Sequence, residues 1–378
     1  MTFPNGIITN YTYDDAGRLL STNYAKESTQ IDAITYSYDA DYKRTTFDRT
    51  NSQTLLPEPT TATYNDANQM LTFKDKSFTY DKNGNLTSMT GGTGTTLYTW
   101  DARNRLVAID GPTMTARFKY DALNRRVEKT INGRTTQYIY DGTNITAQVE
   151  DGLITATYAR SLNIDEVFAR VDGNSVRYYL LDALRNTVAL TDETGTITTS
   201  YTYDPFGNTA ATGEPNDNPF QFTGRENDGT GLYYYRARYY SPDLHRFISE
   251  DPIIRLSLLF SARPFLKLLL TDPDIFKNYS YVANNPANFV DPYGLMIGHM
   301  VHGALHGTFS SGGTGELIGG IAGGIAGGAL AGPWGIVPGI IVGETIGSFF
   351  DPPYAGQLNP DEDWMDALEK LRAVNKEL

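Results

Sequence analysis

Tyr-Asp pairs recur along most of the chain: Tyr13-Asp14, Tyr38-Asp39, Tyr80-Asp81, Tyr120-Asp121, Tyr140-Asp141 and Tyr203-Asp204. Trp100-Asp101 and Tyr64-Asn65 are worn copies, and Leu181-Asp182 is a more distant one. Trp100, Tyr120 and Tyr140 lie twenty residues apart. The units YTYDDAGRLLS, FTYDKNGNLTS, YTWDARNRLVA, FKYDALNRRVE and YTYDPFGNT read alike. Each opens with aromatics at i and i+2, which share one face of a strand. Asp then starts a turn containing Gly or Asn, residues that tolerate positive φ. A second short strand, rich in Leu, Val and Thr, follows. One such step cannot bury its aromatic face alone. Stacked copies can, in a long β-sheet that coils because sheets twist.

Composition divides the chain at one place. Of the 26 Tyr, 25 precede residue 296, whereas the 83 residues from Met296 onward hold 18 of the 36 Gly. That break marks a domain boundary near Leu295, within the two or three domains that 378 residues allow. The absence of Cys excludes a disulfide framework, a thiolate metal site and a Cys nucleophile. A net charge of −13 argues against a nucleic-acid partner, because phosphate contacts need clustered Lys and Arg. The start, MTFPNG, lacks a basic segment followed by an apolar one, so export would use a route without a classical signal peptide.

With these repeats, residues 8–295 resemble the YD-repeat, or RHS (rearrangement hotspot), family. The most specific stretch is NPFQFTGRENDGTGLYYYRARYYSPDLHRFISEDP, residues 218–251 and the Pro that follows. It resembles the RHS repeat-associated core through Phe222-Thr223-Gly224, Arg238-Tyr239-Tyr240, Pro242, Arg246-Phe247 and Asp251-Pro252. The segment NYSYVANNPANFVDPYGL, Asn278 to Leu295, is similar to the end of that core. The resemblance implies a mainly β fold: a spiral of YD-repeat β-hairpins forming part of a hollow shell around a C-terminal segment. A closed shell in the family uses several times more repeats than the ten or so here, so this chain is expected to be the end of a larger shell, an open or partnered one, or a truncated orphan copy. The expected domains are repeats over 1–217, the core over 218–295 and a variable tip over 296–378.

No HExxH, GxSxG, Walker sequence or Cys/His pair is present, and no cofactor is expected. What the resemblance implies is single-turnover cleavage of the chain itself, after the Leu of a P-x-x-x-x-D-P-x-G-L motif. Here that motif is Pro286, Asp291, Pro292, Gly294 and Leu295, which puts the cut between Leu295 and Met296, at the composition break. By the same resemblance the aspartic-type pair is Asp251 and Asp291. Two close carboxylates cannot both ionise comfortably, so one polarises the carbonyl as the acid while the other takes a proton from water. Arg246, near Asp251 in sequence, is a candidate to position a carboxylate or stabilise developing charge. Glu250 stands where some members carry a basic residue and is expected to raise the pKa of Asp251. Residues 253–277 form a longer connection than usual, read as short amphipathic helices around Pro264, with Asp272 and Asp274 as rival carboxylates.

The tip reads as three pieces. His299, His302 and His306 share one face if helical, but no Cys or nearby acid completes a zinc set, so they are read as a polar stripe. Leu317 to Gly343 is 27 residues without a charge. Its Gly recur four apart, the small-residue spacing that lets helices pack closely in membranes, and Pro333 and Pro338 favour two short helices. This α-helical Gly-rich segment, 317–350, is the expected contact with a target membrane; its soluble alternative is storage inside the shell. Residues 360–378 read as an acidic docking helix with Trp364, Leu368 and Leu371 along one side. The expected function is that of the C-terminal part of an RHS-type bacterial toxin, secreted or at the cell surface, whose β-shell houses and cuts free its own C-terminal segment. Expected partners are a further shell subunit or secretion-system component, an immunity protein and the target membrane. The alternatives are a non-enzymatic YD-repeat surface protein that binds carbohydrate or protein, and an orphan copy without an active tip.

Overall fold

In the computed structural model, which describes residues 1–295 apart from 53–54, 162, 174 and 253–277, two side chains build most of the Tyr-Asp units. The first is the aspartate. Asp14 Oδ1 accepts the amides of Ala16 and Arg18 at 3.0 and 2.8 Å, and its Oδ2 accepts Arg18 Nε at 2.5 Å. Asp101 and Asp121 repeat this with Arg105 and Arg125. Asp81, Asp182 and Asp204 do it with Asn85, Asn186 and Asn208. The residue three past the Asp is left-handed, with φ of 76° at Gly17, 74° at Gly84 and 63° at Asn124. That conformation explains why Gly or Asn stands there in most units, Tyr42 and Arg185 adopting it at φ 64° and 66°.

The second is the tyrosine, which ties its unit to an earlier one. The hydroxyls of Tyr38, Tyr120, Tyr140 and Tyr203 donate to the carbonyls of Leu19, Leu106, Arg126 and Thr187 at 2.7–2.8 Å. The indole of Trp100 does the same to Leu86 at 2.7 Å. Every one of these carbonyls lies five residues past the Asp of an earlier unit. Arg18, Arg105 and Arg125 also lie over the Tyr38, Tyr120 and Tyr140 rings at 4.9–5.2 Å. The repeat unit is thus a hydrogen-bonding device as much as a hydrophobic pattern.

The described strands form three antiparallel sheets. Strands β1 to β4 run between Ile7 and Arg49, β5 to β20 between Ala62 and Gly213, and β21 to β24 between Glu226 and Phe247. The sixteen strands of the second sheet pair in sequence order. Register slips sit next to Tyr13, Tyr38, Tyr64, Tyr80, Tyr120 and Tyr140. A bulge bends a strand and adds twist, so a slip repeated once per unit curls the sheet. The repeats of 1–217 divide between the first two sheets. The β1–β4 sheet packs face to face on the far end of the long sheet, with Phe3, Ile7, Tyr24 and Ile34 against Ala169, Val171, Tyr178 and Leu180.

The hollow of the long sheet is filled by β21–β24. Leu232, Tyr234, Tyr239 and Leu244 pack on Phe73, Phe78, Leu86, Leu106 and Phe118. Arg126, fully buried, pairs with Asp228 (Nη2 to Oδ1, 2.8 Å) and lies over the Tyr234 ring at 4.2 Å, tying the third sheet to the second. The expected helices of 253–277, 317–350 and 360–378 lie outside the described residues, as do Met296, His299, His302, His306, Asp272 and Asp274. Among the described residues no helix is long and apolar enough to cross a membrane.

Candidate active site

A tyrosine-rich hairpin builds the site. Strands β22 (Tyr233–Tyr235) and β23 (Arg238–Ser241) are joined by Arg236 and Ala237. Their inward rings, Tyr233, Tyr235 and Tyr240, form a buried cluster with Phe222, Phe247 and Tyr281. Several contacts are edge-on, such as Tyr235 on Phe247 at 5.8 Å and 88°, the arrangement ring quadrupoles favour. The chain returns to this cluster at residue 278. Phe247 donates its amide to the Tyr279 carbonyl at 2.9 Å, and Asp251 donates its amide to the Asn278 carbonyl at 3.1 Å. The Tyr279 hydroxyl donates to the Gly84 carbonyl, 2.8 Å away in a repeat turn. The repeat sheet therefore supports the backbone that carries Asp251.

Asp251 and Asp291 are buried, with 0% and 3% of their surface exposed. Arg238 joins them. Its Nη2 lies 2.8 Å from Asp251 Oδ2 and 3.3 Å from Asp291 Oδ2, and its Nη1 donates to the Asn278 carbonyl at 3.1 Å. The other oxygen of Asp291, Oδ1, accepts the Leu295 amide at 2.9 Å. Three consecutive residues hold the segment between: Arg236 through its guanidinium takes the Pro292 carbonyl, the Ala237 amide takes Tyr293 at 3.2 Å, and Arg238 Nε takes Gly294 at 2.5 Å. Gly294 has φ +67°, and a Cβ there would fall 2.2 Å from the Tyr235 carbonyl oxygen. This crossing of backbones requires glycine.

Burial pushes the Asp291 carboxyl up to about 7, with Arg238 pulling it down and the charge of Asp251 pushing it further up. Near neutral pH a carboxyl raised in this way is partly protonated.

The structure brings together Asp251, Asp291, Pro292, Gly294 and Leu295, and keeps Pro286 five residues before Asp291 on the same returning segment. It places Arg246 elsewhere. That buried guanidinium donates to the Asn68 carbonyl at 3.0 Å and lies 5.0 Å from the Tyr64 and Tyr279 rings. The position expected for Arg246, against the two carboxylates, is held by Arg238. The available signal was YYYRARYY: a cation within an aromatic strand needs a buried counter-charge. Glu250 lies against the turn of Asp81, so close that a Cβ on Gly84 would fall 2.5 Å from its carboxyl carbon. Among the described residues no three His, Cys, Asp or Glu side chains group to hold a metal.

Comparison with known proteins bears on the fold and its lineage. The family model described as Teneurin YD-shell matches residues 5–287. The tRNA3(Ser)-specific nuclease WapA of Bacillus spizizenii is 32% identical over 273 residues, which are 70% of this chain and 11% of that protein. Toxin subunit YenC1 of Yersinia entomophaga is 30% identical over 34% of this chain and 12% of its own length. Toxin protein Tse5 of Pseudomonas aeruginosa is 32% identical over 34% of this chain and 9% of its own. The chain thus spans about a tenth of the length of these relatives. Among solved structures, TcdB2-TccC3-TEV superposes with a TM-score of 0.53 at 19% identity, covering 78% of this chain and 18% of that one. That likeness is one of fold.

Proposed function

The chain belongs to the Teneurin YD-shell family, and from that membership and the Asp251–Arg238–Asp291 group we propose that it is the C-terminal part of an RHS-type toxin that cuts itself between Leu295 and Met296. In the proposed step a water oxygen attacks the Leu295 carbonyl carbon. Ionised Asp251 takes one water proton, and protonated Asp291 gives its proton to the carbonyl oxygen. The resulting diol collapses: the bond to the Met296 nitrogen breaks, Asp251 returns its proton to that nitrogen, and a diol hydroxyl reprotonates Asp291. Both carboxyls end as they began. Arg238 offsets the negative charge of the ionised carboxylate and holds the Gly294 carbonyl, so the scissile bond enters the site in register.

One observation carries this reading: Asp291 grips the Leu295 amide with one oxygen while the other shares a guanidinium with Asp251. It supports a cut at the bond where the composition changes. The test is to express the whole chain and determine the mass and N-terminus of each product. The expectation is a new N-terminus at Met296, lost in Asp251→Asn and in Asp291→Asn. A wild-type chain that stays a single 41.8-kDa species refutes self-cleavage.

The freed segment, 296–378, is the proposed toxic tip, acting on a membrane through 317–350. Relatives named as toxin proteins and toxin subunits support delivery outside the producing cell and a further shell subunit as partner; an immunity protein that guards the producer is the further partner proposed. Leakage of dye from anionic vesicles on addition of the whole chain, lost when 317–350 is deleted, checks the membrane activity.

A further inference from the structure

A buried carboxylate far from the cleavage segment grips it indirectly. Asp165 lies in the connection between β15 (Leu153–Arg160) and β16 (Val167–Asp172) of the long repeat sheet. It is buried, and its backbone is left-handed, at φ 61°. Its Oδ1 accepts Arg225 Nη1 at 2.6 Å and Arg236 Nη2 at 2.7 Å, while its Oδ2 accepts Arg236 Nη1 at 3.1 Å. The pairing with Arg236 is therefore the two-pronged kind, which fixes the guanidinium in plane and direction. The same Nη1 of Arg236 donates to the Pro292 carbonyl, next to Asp291, and the guanidinium lies over the Tyr293 ring at 5.6 Å. Arg236 is itself left-handed at φ 56°, a conformation that costs energy in a non-glycine residue and needs surrounding contacts to persist. The backbone of Asp165 also sits on the core, since a Cβ on Gly224 would fall 2.4 Å from its carbonyl oxygen.

We infer that Asp165 is a positioning residue for self-cleavage: it locks Arg236 onto the Pro292 carbonyl, so that the cut waits until the β15–β16 connection of the repeat sheet has closed on the core. The inference rests on the self-cleavage proposed above. Until the connection docks, Arg236 has no carboxylate to fix it, and the first of the three carbonyl grips is loose. Asp291 then stands on a segment free to shift by more than the fraction of an ångström that in-register attack tolerates. The order of events follows. The core seats on the repeat sheet before the tip is released.

The test compares three variants of the whole chain by the rate at which the Met296 fragment appears. Asp165→Asn, which keeps the shape and loses the charge, is expected to cut about a hundredfold more slowly, and Arg236→Lys, which keeps a charge but not the fork, to fall between. Asp228→Asn breaks an equally buried pair between core and sheet that does not touch residues 291–295, and is expected to cut at the wild-type rate once folded. Hydrogen exchange in the uncut Asp251→Asn background adds a readout independent of cutting: the added Asp165→Asn should remove protection at 293–295, and the added Asp228→Asn should not. Wild-type cutting in Asp165→Asn overturns the inference while leaving self-cleavage standing. So does equal slowing in Asp165→Asn and Asp228→Asn, which reduces Asp165 to general stability. A wild-type chain that never cuts removes the underlying reading instead.

Discussion

At the scale of single residues, the site depends on one cation and one glycine. Arg238 pairs with two buried carboxylates, Asp251 and Asp291. Arg238→Met removes the guanidinium that the two buried carboxylates share, a change expected to cost about 3–5 kcal/mol; the midpoint of urea unfolding measures it, and cutting should stop. Gly294→Ala forces a left-handed alanine whose Cβ meets the Tyr235 carbonyl, so the segment cannot seat. Gel analysis should show an uncut chain even though Asp251 and Asp291 are intact. The raised Asp291 pKa predicts the pH dependence. The acid form donates the proton, and it is lost as pH rises through about 7. The rate of the slowed Arg236→Lys variant should therefore fall about tenfold per pH unit above that value, as expected for loss of one required proton.

At the scale of the element, the Tyr-Asp unit is explained by what its two residues bond to. Asp121 satisfies two backbone amides of its own turn and the side chain of Arg125. Asp121→Ala removes all three bonds and is expected to cost about 2 kcal/mol. Asp121→Asn keeps an acceptor for the amides and gives up mainly the partly exposed ion pair, expected to cost about 0.5 kcal/mol. The chain contains its own precedent, because Asn65 makes the same turn with Ala67 and Gln69. Tyr140→Phe removes the donor to Arg126 O and is expected to cost about 1 kcal/mol without changing the sheet. Urea midpoints for the three variants check the order. These elements are legible in the sequence because every partner lies within one turn or one unit, at a spacing the repeat itself reveals.

At the scale of the whole molecule, the three sheets depend on faces that no local pattern matches to each other. The β1–β4 sheet covers Ala169, Val171, Val176, Tyr178 and Leu180, and Asn5 reaches across to Thr191 at 3.0 Å. A chain beginning at residue 58 should expose that face, bind the dye ANS and aggregate. If it stays monomeric without binding dye, the first sheet is dispensable.

The sequence by itself determined the repeat, its turns, the mainly β class and the composition break after Leu295. Each of these depends on residues that are neighbours in the chain or one period apart, where spacing is structure. It also led to Asp251 and Asp291, through motifs that resemble those of a known family. The tertiary structure decided the rest: that Arg238 and not Arg246 joins the carboxylates, that Arg236, paired with Asp165, holds the Pro292 carbonyl, and that the first four strands fold back on the long sheet. Arg238 and Asp291 are 53 residues apart, and Asn5 and Thr191 are 186 apart. Such pairs are selected by how curled sheets pack and which buried charges need partners, and both are settled only when the whole chain has closed on itself.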